Sequence, residues 1–164
     1  MDPLSTCDLC DQHRNDPAER FRVLPPVFRD FGGRVRFHGS VATLQCLEDN
    51  TSVREAVNSP GHGRVLVVDG GGSMRRALLG GNLAAAAEKN GWAGVVIHGA
   101  VRDLQEMARC QIGIRALGLL PMATDKRHAG LADVPVQIAG VWVRPGERLV
   151  ADEDGIVVLA VAAH

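Results

Sequence analysis

VLVVDGGGSMRRALLGGNLAAAAEKNGWAGVVIHGAVRD, Val65 to Asp103, sets two apolar runs, two glycine clusters and an alanine-rich segment in an order few architectures accept. Arg64–Asp69 is a nearly continuous β-branched and leucine run, the pattern of a central strand covered on both faces. Gly70-Gly71-Gly72 breaks it, and Met74–Leu79 is short enough to be either a strand or a helical turn. Gly80-Gly81 then precedes Asn82, a good N-cap residue, and Leu83–Lys89 are strong helix formers. Asn90-Gly91 supplies a left-handed stop. Val95–His98 is a second central strand, after which Gly99-Ala100 turns the chain into Arg102-Asp103, with Asp103 as N-cap of a helix over Leu104–Arg109.

Strand, helix, strand is a βαβ unit. Such crossovers are right-handed in about 98% of cases, and ligands of the resulting sheets sit outside the strands' carboxyl ends. The Gly80–Leu83 turn should therefore face Arg102 and Asp103 across one sheet edge. A helix N-terminus offers free N–H groups and a partial positive charge, which suits a small carboxylate. Paired glycines permit close backbone approach, Arg102 can add a bidentate contact to an anion, and Asp103 brings a hard oxygen for Mg²⁺ or Mn²⁺. The plainer readings stand beside this one: a glycine pair is a common turn, and Arg-Asp after a strand is a common solvated pair.

Outward from this unit, Ser5-Thr6-Cys7-Asp8 resembles a capping box and starts a short helix near Thr6 that fades before Pro17. Pro25-Pro26 mark a loop, and Phe28, Phe31 and Phe37 supply most of the ring surface for the core. Arg34–His38 and Val41–Cys46 are strand candidates, and Ser52 with Glu55 gives a second capping box for a helix ending near Asn58. Downstream, Ile112–Leu120 is strand-like and Ala123–Asp133 polar and loop-like. Short strands follow at Val134–Ile138, Val141–Arg144, Leu149–Ala151 and Ile156–Ala160, with turns at Pro145-Gly146 and Asp154-Gly155. The fold class is mixed α/β: one domain over residues 1–164, with a central βαβ unit and a β-rich C-terminal third, and no linker or internal repeat.

Of the 164 residues 46% are apolar and 23% charged, and the net charge is −1, a globular balance without the basic excess of a nucleic-acid binder. Aromatics are 4%, which argues against a surface of stacked rings. No apolar run reaches the roughly 18 residues of a membrane span. The acidic, polar N-terminus lacks the features of a signal peptide. Cysteines 7, 10, 46 and 110 form no dense framework, consistent with reduced thiols and a cytoplasmic location.

Several motifs carry competing chemistry. Cys7-x-x-Cys10-x-x-His13 is a partial zinc pattern, but no second pair completes four ligands, and a shared buried helix face accounts for the cysteines. Val65–Gly72 is superficially a dinucleotide or S-adenosylmethionine loop, but the G-x-G-x-x-G spacing is not met. Asp152 and Asp154 read as a turn that could supply supporting carboxylates if it met the site. Arg75-Arg76 reads as a solvated pair. His38, His62, His98 and His128 are isolated; only His98, at a strand end, is a candidate proton carrier.

Across nearly its whole length the chain resembles the RraA-like proteins, which comprise the regulator of ribonuclease activity A and the class II, metal-dependent 4-hydroxy-4-methyl-2-oxoglutarate aldolases. The resemblance runs through TCDLCD, FGG at Phe31–Gly33, CLEDN at Cys46–Asn50, GRVLVVDGGGSMRRALLGG, WAGVVIHGAVRD, QIGIRALG and ADEDGIVV. The aldolase signature is a glycine, twenty residues, then Arg-Asp, and Gly81 to Arg102-Asp103 fits it. The resemblance implies a compact swivelling β/β/α sandwich and a homotrimer with sites at subunit interfaces. It implies that Gly80, Gly81, Asn82 and Leu83 bind the pyruvate-like part of a small 2-keto acid, that Arg102 contacts substrate, that Arg102 and Asp103 act in catalysis, and that Asp103 binds the divalent metal. The implied reactions are cleavage of 4-hydroxy-4-methyl-2-oxoglutarate into two pyruvates and decarboxylation of oxaloacetate, both through a pyruvate enolate.

Two features depart from the aldolase pattern. Asn82 stands where aldolases commonly carry an acid, and the chain stops at His164 without the longer C-terminal segment of the larger enzymes. Both point toward the regulators, which inhibit ribonuclease E by protein contact. Asp103, which regulators can lack, points back toward the enzymes.

Overall fold

The structure, a computed structural model, describes residues 5–126 and 129–161. His128 lies outside the described residues. In chain order the elements are α1 (Thr6–Gln12), β1 (Phe21–Val23), β2 (Arg29–Asp30), β3 (Phe37–Gln45), α2 (Thr51–Val57), β4 (Val65–Asp69), β5 (Ala77–Leu79) and α3 (Gly81–Lys89). There follow β6 (Gly94–Val101), α4 (Leu104–Arg109), β7 (Gly113–Leu119), β8 (Leu131–Ala132), β9 (Val136–Ile138), β10 (Val141–Val143), β11 (Arg148–Asp152) and β12 (Gly155–Leu159).

The sheet runs β1-β12-β11-β3-β4-β6-β7-β2, with β5 added to β6 and β8 to β3. Its centre, β3-β4-β6-β7, is parallel, and its outer strands are antiparallel. Alternation along the central strands builds three layers. Leu66 and Val68 of β4, with Val95 and Ile97 of β6, pack under Val53, Val57, Ala84, Ala87 and Met107 of the helices. Val65, Val67 and Val96 face the other way, onto Val136, Ile138, Val143, Leu149, Ile156 and Val158 of the C-terminal strands. Each of Val65–Val68 is at most 1% exposed. Burying such a side chain contributes about 2 kcal/mol, so β4 alone matches a sizeable part of a domain's net stability of about 5–15 kcal/mol.

Several local expectations give way to tertiary contacts. The two strands expected at Arg34–His38 and Val41–Cys46 are one, β3, because Gly39 is not a turn but a crossing point: a Cβ there would overlap the Gly63 carbonyl oxygen. Met74–Leu79 resolves as a strand at Ala77–Leu79. The chain does not turn at Gly99-Ala100; β6 continues to Val101, with a register shift between Ile97 and Ala100. The Ser52 capping box does not form. The Ser52 hydroxyl accepts from the Gly130 N–H at 2.7 Å, while Thr51 N–H and Oγ1 donate to Asp49 Oδ1. The Ala123–Asp133 segment contains β8, paired with the end of β3.

Half of the first capping box is realised, the Ser5 hydroxyl accepting from the Asp8 N–H at 3.1 Å. The buried face of α1 is Thr6 and Leu9, however, with Cys10 partly buried and Cys7 exposed. Asp152 ties α1 to the sheet, accepting from the Thr6 N–H at 2.8 Å and hydroxyl at 2.7 Å. No helix among the described residues is long and apolar enough to cross a membrane.

Candidate functional site

β5 and β6 end side by side. Leu79 pairs with Val101, and the Arg102 N–H donates to the Leu79 carbonyl at 2.9 Å. Gly80, the N-cap of α3, follows Leu79 directly, and Arg102 and then Asp103, the N-cap of α4, follow Val101. The carboxyl edge of the unit thus brings Gly80, Gly81, Arg102 and Asp103 together.

Gly80, not Asn82, is the N-cap of α3: its backbone is extended and its carbonyl accepts from the Ala84 N–H at 3.0 Å. Asn82 is already inside the helix and exposed, and Leu83 packs partly against the helix-side core. Asp103 has the left-handed backbone φ 66, ψ 53 and makes no side-chain cap on α4. Its carboxylate crosses instead to α3, where Oδ2 accepts from the Gly81 N–H at 2.9 Å. The helix dipole favours negative charge there. The N–H groups of Asn82 and Leu83 have no acceptor among the described residues.

Close approach explains the glycine pair. A Cβ on Gly80 would lie 2.6 Å from Asp103 Oδ2 and 3.3 Å from Arg102 Cγ. One on Gly81 would overlap Glu106 Oε2 and lie 2.6 Å from Glu106 Cβ. Glu106 is a residue that the sequence reading missed. The signal was present, since Asp103-x-x-Glu106 is itself capping-box spacing.

Half-buried Arg102 donates from Nη1 to the Pro121 carbonyl at 3.2 Å, which holds the guanidinium and leaves its other donors available. Arg102 and Asp103, with Leu119, Leu120 and Pro121, line an open cavity of about 240 Å³. Larger hollows lie elsewhere. One of about 640 Å³ lies on the same edge beside Leu47, Glu48 and Arg75, where Glu48 binds the Arg75 guanidinium and accepts from the Ser73 hydroxyl. Another, of about 530 Å³, lies at the amino edge of the sheet, where Arg36 is already paired with Glu153 at 2.6 Å. The small cavity joins an available guanidinium, Arg102, to a carboxylate at a helix N-terminus, Asp103.

The donor set suits Mg²⁺ or Mn²⁺. Asp103 Oδ1 has no donor among the described residues, and no cluster of three or more His, Cys, Asp or Glu able to hold a metal occurs among them. A single hard oxygen would hold a magnesium-type ion with water filling the rest of its shell, and does not make a caged zinc or calcium site. The Cys7–His13 pattern forms no ligand set: His13 Nδ1 meets Asp16 Oδ2 at 2.8 Å and its ring stacks on Phe21.

Other candidates do not line this cavity. His98 follows Val96 on the sheet face opposite α3 and contacts Phe28. Burial holds its pKa below the ordinary histidine value, outweighing the pull of Asp69. The Asp152–Gly155 turn is at the amino edge, beside Phe37, and does not meet the site. Arg76 is not a free solvated cation but donates to the Ala123 carbonyl at 3.2 Å.

A family model described as RraA-like, Aldolase/RraA, matches residues 6–158. The chain belongs to the RraA-like family. One relative, from Albidiferax ferrireducens, is 61% identical over 165 residues, covering 96% of this chain and 95% of its own, and is named as a candidate 4-hydroxy-4-methyl-2-oxoglutarate aldolase. Among solved structures, the RNA-processing inhibitor RraA from Thermus thermophilis matches with a TM-score of 0.90 at 48% identity, covering 100% of this chain and 96% of that one. A Geobacillus kaustophilus protein described as S-adenosylmethionine: 2-dimethylmenaquinone methyltransferase gives 0.90 at 42%, covering 97% and 96%. In this RraA-like chain a Cβ at Gly70, in the glycine loop after β4, would lie 2.6 Å from Leu78 Cδ1 and 2.8 Å from the His98 carbonyl oxygen, so that glycine serves close packing. The mixed α/β architecture, with a helix layer on one face of the sheet and strands on the other, is that of RraA.

Proposed function

We propose that this RraA-like protein is a divalent-cation-dependent lyase of 2-keto acids. It cleaves 4-hydroxy-4-methyl-2-oxoglutarate into two pyruvates and decarboxylates oxaloacetate as a side activity. The observation that carries the reading is the Gly81 N–H to Asp103 Oδ2 bond at 2.9 Å, which sets a carboxylate beside Arg102 at the edge of the cavity. The names of close relatives support the aldolase assignment.

In the aldol cleavage the C3–C4 bond breaks as the C4 hydroxyl gives its proton to a solvent water. The electron pair moves onto C3, giving pyruvate and a pyruvate enolate that is then protonated. Oxaloacetate gives the same enolate by losing carbon dioxide. A cation held by Asp103 would supply Lewis-acid polarisation of the 2-keto oxygen. Arg102, fixed through Pro121, directs its free N–H groups at the developing negative charge, a contribution of about 3 kcal/mol for one well-placed donor. The unpaired N–H groups of Asn82 and Leu83 bind the substrate carboxylate. The proposal includes a homotrimer, in which a neighbouring subunit covers exposed Leu119 and Met122 beside the site, and a cytoplasmic location, consistent with four free cysteines.

The test is magnesium-dependent pyruvate release from oxaloacetate by the wild type and by Asp103→Ala. Wild-type activity abolished by chelator and absent in the variant is the expected result; equal rates in both proteins would sink the site assignment.

A second reading is favoured by the Thermus protein's description as an RNA-processing inhibitor: binding and inhibition of ribonuclease E through an outer surface. It is compatible with catalysis in the cleft. A pull-down with purified ribonuclease E and an RNA-cleavage assay decide it, and absence of both complex and inhibition removes it.

A further inference from the structure

We propose that Leu120 sets the specificity of the site at C4 of the substrate, its side chain receiving the C4 methyl group of a 4-hydroxy-4-methyl-2-oxo acid. The proposal rests on the lyase reading above and deepens it, naming the C4 substituent that the cavity selects.

Leu120 follows β7 directly, where β7 runs parallel to β6. Leu119 pairs with Val101, and the Leu120 N–H donates to the Val101 carbonyl at 3.0 Å, so Leu120 stands beside Arg102. The next carbonyl, that of Pro121, accepts from Arg102 Nη1 at 3.2 Å. The backbone on both sides of the Leu120 side chain is thus tied to the site. That side chain is half-buried, yet it packs into none of the three hydrophobic clusters among the described residues. It lines the cavity with Arg102 and Asp103 instead.

The core therefore gives no reason for a leucine at this position, and a charged pair does not call for one. With Leu119 and Pro121 it makes one side of the cavity apolar. Besides C3, the C4 atom of the aldol substrate carries a hydroxyl that must lose its proton, a carboxylate and a methyl. A hydroxyl or carboxylate set against leucine would give up water with no hydrogen bond in return. The methyl gains from the same contact. Of the groups on C4, the methyl is the one this wall can receive. A methylene more or less in an apolar pocket changes kcat/KM about 10–200-fold, so one leucine is enough to set a preference.

Steady-state kinetics of the full chain with magnesium tests this on two compounds: 4-hydroxy-4-methyl-2-oxoglutarate, and 4-hydroxy-2-oxoglutarate, which has hydrogen in place of the methyl. The ratio of their kcat/KM values, compared between variant and wild type, cancels the intrinsic reactivity of each. Thermal midpoints are measured in parallel. Leu120→Asn should lower the ratio about 10-fold. Leu120→Val, too mild to unfold a half-buried position, should lower it less, and Leu120→Met should keep the wild-type ratio. If Leu120→Asn has a lowered midpoint, the Leu120→Val ratio decides. An unchanged ratio in the folded variants would overturn the proposal. Equal losses on both compounds would make Leu120 a general support of the site and likewise overturn it. Wild-type turnover of oxaloacetate but of neither aldol compound would overturn the proposal and leave the site standing. Turnover of none of the three would overturn the lyase reading and the role of Leu120 with it.

Discussion

Gly81 donates its N–H to Asp103 Oδ2 at 2.9 Å, so the residue that opens α4 caps α3. One bond links two helix starts and, through the Arg102 N–H to Leu79 carbonyl bond, the ends of β5 and β6. Geometry at this joint is therefore shared, and a small change at either glycine should reach Asp103.

Gly81→Ala places a methyl 2.6 Å from Glu106 Cβ. Because that contact is with the root of the Glu106 side chain, rotating the carboxylate away does not relieve it, and α3 and α4 must separate. Overpacking of this kind costs about 1–3 kcal/mol. The expected outcome is a lowered thermal midpoint together with loss of Mn²⁺ binding; wild-type values for both would show that the joint is soft.

Arg102→Lys retains charge but replaces a planar five-donor group with a point charge. The Pro121 tether and the contact with a developing enolate cannot both be kept. Oxaloacetate decarboxylation should fall about 10²-fold in kcat, with thermal stability little changed. A fall confined to KM would assign Arg102 to uniform substrate binding instead.

Asp152 is 8% exposed. Burial alone would raise its pKa, but hydrogen bonds from the Thr6 hydroxyl and N–H and from the Asp154 and Gly155 N–H groups outweigh it and hold the carboxyl below the usual range. A folded-state pKa below the unfolded value, about 3.9, gives stability that is present above that pH and lost as pH falls through the folded value. Asp152→Asn should cost about 2 kcal/mol at neutral pH, and the gap should close on acidification below about pH 4. Denaturant unfolding at both pH values checks this, and a pH-independent gap would contradict it.

Cys46 is buried and its thiol is pushed up to about 12 by burial, with Asp49 and Asp69 adding to the effect. Cys7 is exposed. In the native protein a thiol-directed disulfide reagent should label Cys7 well before Cys46. Denaturation should make the two equivalent. Rapid native labelling of Cys46 would mean that the helix-side core opens readily.

The central unit was legible because its signals are local. An apolar run such as Val65–Val68 can be satisfied only by burial on both faces, and Asn90-Gly91 stops a helix wherever it stands; Gly91 indeed has φ 81. Strand–helix–strand order then puts the helix start and the next strand's end on one edge, so the nearness of Gly80-Gly81 to Arg102-Asp103 followed from the sequence with little freedom left. The shortest strands were illegible for the converse reason. β1 has three residues and β2 two, too few to show a period, and they exist because β12 and β7 offer them partners.

By itself the sequence determined which elements form at the centre of the chain, which edge they share, and the spacing that marks the family. Tertiary structure alone decided who serves whom at that edge. Asn82 lost the N-cap position to Gly80, because the Leu79–Arg102 bond starts the helix earlier. Ser52 was claimed by Gly130, and Asp103 turned from its own helix to Gly81. The physical reason is clearest for Asp103 and Gly81. Local sequence specifies which N–H groups a helix end leaves unpaired, whereas the acceptor that fills them is whichever group the packed chain brings within hydrogen-bond reach, here from a residue on a different helix.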